Sequence, residues 1–196
     1  LTATPATSST FAGWSGGGCG GTGSCTVTLT GATSVTASFT LVTFSLTVTK
    51  AGAGGGTVTS SPAGISCGAA CSASYASGTG VTLTATPAAN STFAGWSGAG
   101  CGGTDPCTIA MTAAAGVTAS FDLSFFTLTV AIAGSADGTV VSNPIGVTCG
   151  ATCASTYAAG TVVTLTVTAP SGVAFSRWGG ACSGTTPSCA VTLDAA

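Results

Sequence analysis

Apolar and polar residues alternate with a period of two along most of the chain. Val81, Leu83 and Ala85 alternate with Thr82, Thr84 and Thr86, and Cys107, Ile109 and Met111 with Thr108, Ala110 and Thr112. Val117, Ala119 and Phe121 alternate with Thr118 and Ser120. Successive side chains of a strand point to opposite faces, so each stretch predicts a half-buried strand with its hydroxyls outward. Ala113-Ala114-Ala115 and the stretch around Ala69-Ala70 carry at most a turn of helix. Ala51-Gly52-Ala53-Gly54-Gly55-Gly56 separates Leu46–Lys50 from Thr57–Ser60, and Ala133-Gly134-Ser135-Ala136-Asp137-Gly138 is its later counterpart. Glycine reaches the positive φ of a reversal at little steric cost, so a hairpin is expected there. A phosphate cradle would need a following helix, and here a strand follows.

A longer period overlies the short one. Ser91-Thr92-Phe93-Ala94-Gly95-Trp96-Ser97-Gly98 has an earlier copy in Thr10-Phe11-Ala12-Gly13-Trp14-Ser15-Gly16 and a divergent later one in Phe175-Ser176-Arg177-Trp178-Gly179-Gly180. Phe11, Phe93 and Phe175 are spaced by 82 residues, as are Trp14, Trp96 and Trp178. A fixed spacing of this size means a chain of copied units. Aromatics bury the most area per residue, so each Phe–Trp pair is expected at the centre of a small core rather than as an exposed sugar platform. The implied organisation is residues 1–41 as the C-terminal part of a first repeat, 42–123 as a complete second, and 124–196 as a third without its last strand. Leu1 aligns with Leu83 in mid-unit, so the chain is expected to be a segment of a longer polypeptide. Its end units should then lack sheet partners unless neighbouring chains supply them.

At the joins, Val35, Ala37, Phe39 and Leu41 share one parity, and Val42, Phe44, Leu46 and Val48 the other. Val117, Phe121, Leu123 and Phe125 likewise give way to Phe126, Leu128 and Val130. One strand runs into the next with no Gly or Pro between them, whereas a flexible linker would carry such a spacer. A stiff, rod-like array is expected.

Composition narrows the function classes. The 196 residues include only 3% charged side chains, no His and a net charge of −2. Nucleic-acid binding needs several Lys or Arg per site, and this chain has Lys50 and Arg177. Mean hydropathy is positive, yet Thr, Ser and Gly interrupt every apolar run well short of a spanning helix. A hydrophobic content of 45% argues against disorder.

Ten cysteines fall in close pairs: Cys19/Cys25, Cys67/Cys71, Cys101/Cys107, Cys149/Cys153 and Cys182/Cys189. Such density suits an oxidising, extracellular compartment. Four cysteines per unit allow local bridges, crossed bridges or one four-thiolate zinc site. Local bridges are favoured, because the last pair has one more residue between its cysteines than its counterparts. A bridge closing its own loop absorbs that slip more easily than a tetrahedral metal site. Closing so short a loop stabilises by about 2 kcal/mol on the chain-entropy model.

Catalysis needs a base within reach of a nucleophile. Asp105, Asp122, Asp137 and Asp194 do not recur between copies, and no such set is found. No enzyme activity, cofactor or metal is expected. Thr82-Leu83-Thr84-Ala85-Thr86, Thr164-Leu165-Thr166-Val167-Thr168 and Thr127-Leu128-Thr129 align hydroxyls on one face. A flat array of that kind could bind a crystalline polysaccharide, but threonine is also the ordinary outward residue of a strand with few charges. Asn90-Ser91-Thr92 matches a glycosylation acceptor, so attached glycans are possible.

Gly56-Thr57-Val58, Tyr75 with Gly78-Thr79, Val81-Thr82-Leu83-Thr84-Ala85, Phe93-Ala94-Gly95-Trp96 and Val117-Thr118-Ala119-Ser120-Phe121 together resemble the divergent internalin-type B-repeat family. The resemblance covers all three units. It implies tandem β-rich units on secreted or surface bacterial proteins, β-grasp-like, with a spacing or adhesive role and no shared catalytic residues. The added cysteine pairs and near absence of charge depart from that family's better-known members. The combined expectation is an all-β fold of small sandwich or β-grasp-like (Ig-like) units of 82 residues, stapled by disulfides. Its partners would be adjacent repeats or further copies of itself. The expected role is a rigid, self-associating shaft on the cell surface; carbohydrate or surface binding through the threonine faces is the alternative.

Overall fold

The computed structural model describes residues 1–68, 70–134, 138–150 and 153–194. Contacts group the chain into two compact units. The first comprises Leu1–Ala51, Gly56–Thr86 and Phe93–Ser120, and the second Gly52–Gly55, Pro87–Thr92 and Phe121–Ala196. Every regular element among the described residues is a strand.

In the first unit, β1 (Ser9–Gly16), β2 (Cys19–Gly21) and β3 (Thr36–Leu41) form an antiparallel sheet in the order β2-β1-β3. The chain continues through β4 (Thr43–Ala51), β5 (Gly56–Ser61), β6 (Ser66–Cys67), β7 (Ser72–Ala76), β8 (Gly80–Pro87), β9 (Ser91–Ser97), β10 (Cys107–Ala110) and β11 (Ala115–Leu123). These make two four-stranded sheets, β10-β8-β5-β6 and β7-β4-β11-β9. The alternation read from the sequence sets which side chains turn inward. Leu46, Val48, Val117, Ala119 and Phe121 are buried from one sheet, and Val58, Val81, Leu83 and Ile109 from the other. Their threonine neighbours Thr47, Thr49, Thr84 and Thr108 stay exposed.

Pairing partners are not contained in that alternation. β11 runs parallel to β4, with Val117 opposite Val48, while β7 flanks β4 antiparallel, with Tyr75 opposite Phe44. The expected hairpin between β4 and β5 does not form, because the two strands belong to different sheets. The glycine-rich segment crosses from one sheet to the other instead of turning back. Gly52 has φ +90, and a side chain there would collide with the Phe121 carbonyl. Gly54 donates its amide to that same carbonyl at 2.8 Å. The segment is thus packed on the end of β11, which a side-by-side turn would not achieve.

The expected helical turns are also absent among the described residues. Ala115 opens β11, and Ala70 lies in a β-bridge with Ser66; Ala69 lies outside the described residues.

The second unit holds β12 (Phe125–Thr129), β13 (Thr139–Asn143), β14 (Thr148–Cys149), β15 (Ala154–Ala158), β16 (Val162–Thr168) and β17 (Ser188–Thr192). β12 pairs with β15, and the other sheet runs β14-β13-β16-β17. Its core gathers Val140, Val147, Tyr157, Val163, Leu165 and Leu193 with two half-cystines, Cys149 and Cys182.

Candidate functional site

Three recurring arrangements stand out, and none of them is catalytic. The first joins the sulfur bridges to the aromatic centres. Disulfides link Cys19–Cys25, Cys67–Cys71, Cys101–Cys107, Cys149–Cys153 and Cys182–Cys189, with Cα–Cα distances from 4.5 to 6.0 Å. Phe11 and Trp14, Phe93 and Trp96, and Phe175 and Trp178 meet with ring centroids 5.1, 4.9 and 5.2 Å apart. Each indole N–H then donates to a carbonyl inside the neighbouring disulfide loop: Trp14 to Gly23, Trp96 to Asp105 and Trp178 to Thr186. Trp96 is buried, while Trp14 and Trp178 are half-buried.

The second arrangement is a buried polar tie. The Ser142 hydroxyl lies 2.8 Å from the Tyr157 hydroxyl and accepts the Val147 amide at 2.9 Å. Ser60 stands 2.7 Å from the Tyr75 hydroxyl and accepts the Ile65 amide at 2.9 Å. The loop passes so close to the ring that a side chain on Gly64 would come within 2.7 Å of the Tyr75 oxygen. The peptide bonds Ser61-Pro62 and Asn143-Pro144 within these loops are both cis.

The third arrangement lies at the joins. A single residue separates β3 from β4, and again β11 from β12: Val42 and Ser124. Val42 donates its amide to the Ser8 carbonyl at 2.9 Å, and its own carbonyl accepts the Ser77 amide at 2.8 Å. Ser124 repeats both bonds, donating to Asn90 at 2.9 Å and accepting from Ala159 at 2.8 Å. Ser8 and Asn90 lie on the turn before the strand that carries the Phe–Trp pair. Ser77 and Ala159 lie in the unit that follows the join. The linking residue is therefore held from both sides, once by each unit it connects. Sequence reading did not single out Val42 or Ser124, since their side chains differ and the bonds are carried by backbone.

The remaining candidates do not converge. Asp105, Asp122 and Asp194 are exposed and scattered, and Asp137 lies outside the described residues. Lys50 donates to the Gly56 carbonyl at 3.2 Å. Among the described residues no three His, Cys, Asp or Glu side chains gather as metal ligands, and no helix is long and apolar enough to cross a membrane. Thr10 with Thr40, and Thr82 with Thr108, place their hydroxyls 2.7 and 2.8 Å apart across neighbouring strands.

One concave surface is large. A groove of about 780 Å³ in the second unit is lined by Leu128, Val130, Ile132, Phe175 and Trp178 among others.

A sequence profile described as the divergent InlB B-repeat domain matches residues 1–43, 46–124 and 128–196. The chain belongs to the divergent InlB B-repeat family. Comparison with curated proteins and with solved structures gave no match. In this B-repeat protein the family's period is expressed as geometry: the bonds at Val42 and Ser124 recur 82 residues apart. So does the pairing of each tryptophan with its own disulfide loop.

Proposed function

We propose that this B-repeat chain is a structural segment of an extracellular bacterial surface protein, acting as a stiff spacer in a stalk or filament. The observation that carries this reading is the pair of backbone bonds on each linking residue. A flexible connection exposes its amides to water and samples many directions; Val42 and Ser124 instead give both polar groups to the flanking units. The bridged cysteines suit an oxidising location. A surface with so few charges offers little repulsion against close neighbours. No residues support a catalytic role.

Small-angle X-ray scattering of the 196-residue chain, compared with a variant carrying Gly-Ser-Gly-Ser after Ser124, tests the reading. The inserted linker should broaden the distance distribution and raise the high-angle tail of a flexible chain. Equal flexibility in the two proteins would sink it.

A further inference from the structure

The middle repeat shows what the groove of the third is shaped to hold. There, β11 lies parallel beside β4, with Ala115 opposite Leu46, Val117 opposite Val48 and Ala119 opposite Lys50. Leu46, Ala119 and Phe121 are then 0% exposed. In the third repeat the counterpart of β4 is β12, and Phe126-Thr127-Leu128-Thr129-Val130 differs from Phe44-Ser45-Leu46-Thr47-Val48 only at Thr127. Yet β12 has β15 as its single sheet neighbour among the described residues. Leu128 and Val130 are half-buried where Leu46 and Val48 are buried, and Ile132 is 45% exposed. The groove opens along this uncovered edge.

A matching strand exists elsewhere in the chain. Val35-Thr36-Ala37-Ser38-Phe39 is identical to Val117-Thr118-Ala119-Ser120-Phe121. It forms β3, the last strand of the sheet β2-β1-β3, with one edge unpaired among the described residues. Phe39 is 47% exposed and Leu41 64%. Two strand edges are thus open, one equivalent to β4 and the other to β11, and the middle repeat shows their twins bonded together. Open edges of this kind are templates for strand addition.

We propose that β3 of one molecule adds to the open edge of β12 of a second, parallel and in the register of the middle repeat. Thr33 then faces Leu128, Val35 faces Val130, and Ala37 faces Ile132. The resulting sheet order, β15-β12-β3-β1, reproduces β7-β4-β11-β9. The incoming β1 takes the place that β9 has in the middle repeat, a place where residues 173–177 form no strand. Donor and acceptor are different surfaces, so each added molecule leaves one of each exposed. Such contacts propagate into open filaments unless the rotation closes a ring. This goes beyond a spacing role, since a stiff spacer need not bind its own copies.

Sedimentation of the whole chain over a wide concentration range tests the proposal, using two single variants. Ala37 is exposed in the free chain, so Ala37→Asp should leave folding intact. In the joint it would bury a charge where Ala119 is fully enclosed, and the apparent dissociation constant should rise roughly 100-fold or more. Thr40→Asp copies the exposed Asp122 of the middle repeat and should change association by less than about threefold. A photo-crosslinking side chain at Ile132, in a mixture of light and heavy isotope-labelled protein, should join residues 36–38 of a different molecule. A chain that stays monomeric, oligomers indifferent to Ala37→Asp, or crosslinks confined to one molecule would overturn it. So would a groove that takes up small apolar ligands equally well in monomer and oligomer.

Discussion

The indole N–H of Trp96 donates to the carbonyl of Asp105 at 2.9 Å, inside the loop closed by Cys101 and Cys107. The same bond runs from Trp14 to Gly23 at 2.8 Å and from Trp178 to Thr186 at 2.9 Å. In each loop the accepting residue is the fourth after the first cysteine. The extra residue of the third loop therefore falls between Thr186 and Cys189, beyond the bond. The sulfur bridge and the aromatic centre act as one device: the bridge holds the carbonyl where the tryptophan needs it.

Trp96→Phe keeps most of the apolar contact and removes the donor. It should destabilise the protein by about 1–2 kcal/mol, measured by urea unfolding. The same change at Trp178, which is half-buried, should cost less.

Replacing Cys101 and Cys107 by serine should cost about 2 kcal/mol from the lost loop constraint. Adding Trp96→Phe to that pair should then cost less than it does alone, because the open loop no longer presents its carbonyl. A double-mutant cycle reads this coupling. Additivity within about 0.3 kcal/mol would show that bridge and indole act independently.

Gly52 and Gly78 have nearly the same φ, +90 and +83, but differ in surroundings. A side chain at Gly52 strikes the Phe121 carbonyl, whereas nothing lies within 4 Å at Gly78. Gly78→Ala should cost about 1 kcal/mol from backbone strain alone, and Gly52→Ala about 3 kcal/mol or more. Comparable unfolding midpoints for the two variants would contradict the crossing geometry.

Tyr157→Phe removes one hydroxyl from the tie with Ser142 and Val147 and should cost about 1 kcal/mol. Ser142→Ala should cost more, up to about 3 kcal/mol, because it deprives Tyr157 of its closest partner and Val147 of its better acceptor. Thermal unfolding of the two variants gives the order.

Much of this fold is legible in the sequence, for reasons that also show where legibility stops. Alternation marks Val81 and Leu83 as inward because one face of a strand must be buried, and both are 0% exposed. It carries no information on partners, so the parallel union of β4 with β11 is invisible in it. The glycines at Gly52 and Gly54–Gly56 signal a change of direction, but a tight reversal and a passage to a second sheet use the same residue type. Ser60 with Tyr75, and Ser142 with Tyr157, do repeat at the common spacing. Their hydroxyls are too ordinary in a chain rich in serine and threonine to be noticed before the loops are seen folded over the rings. The joins are the sharpest case. Missing Gly and Pro point to a taut connection, while the bonds that make it taut belong to the backbone of Val42 and Ser124 and leave no trace in residue type.

Amide hydrogen exchange at four positions probes the joins most directly: Val42 and Ser77 around the first, Ser124 and Ala159 around the second. All four are donors in the bonds that hold the linking residues, so they should exchange as slowly as amides inside β4 and β16. Exchange at the rate of an unstructured peptide, with the neighbouring strands still protected, would mean units strung on loose hinges and no stiff shaft.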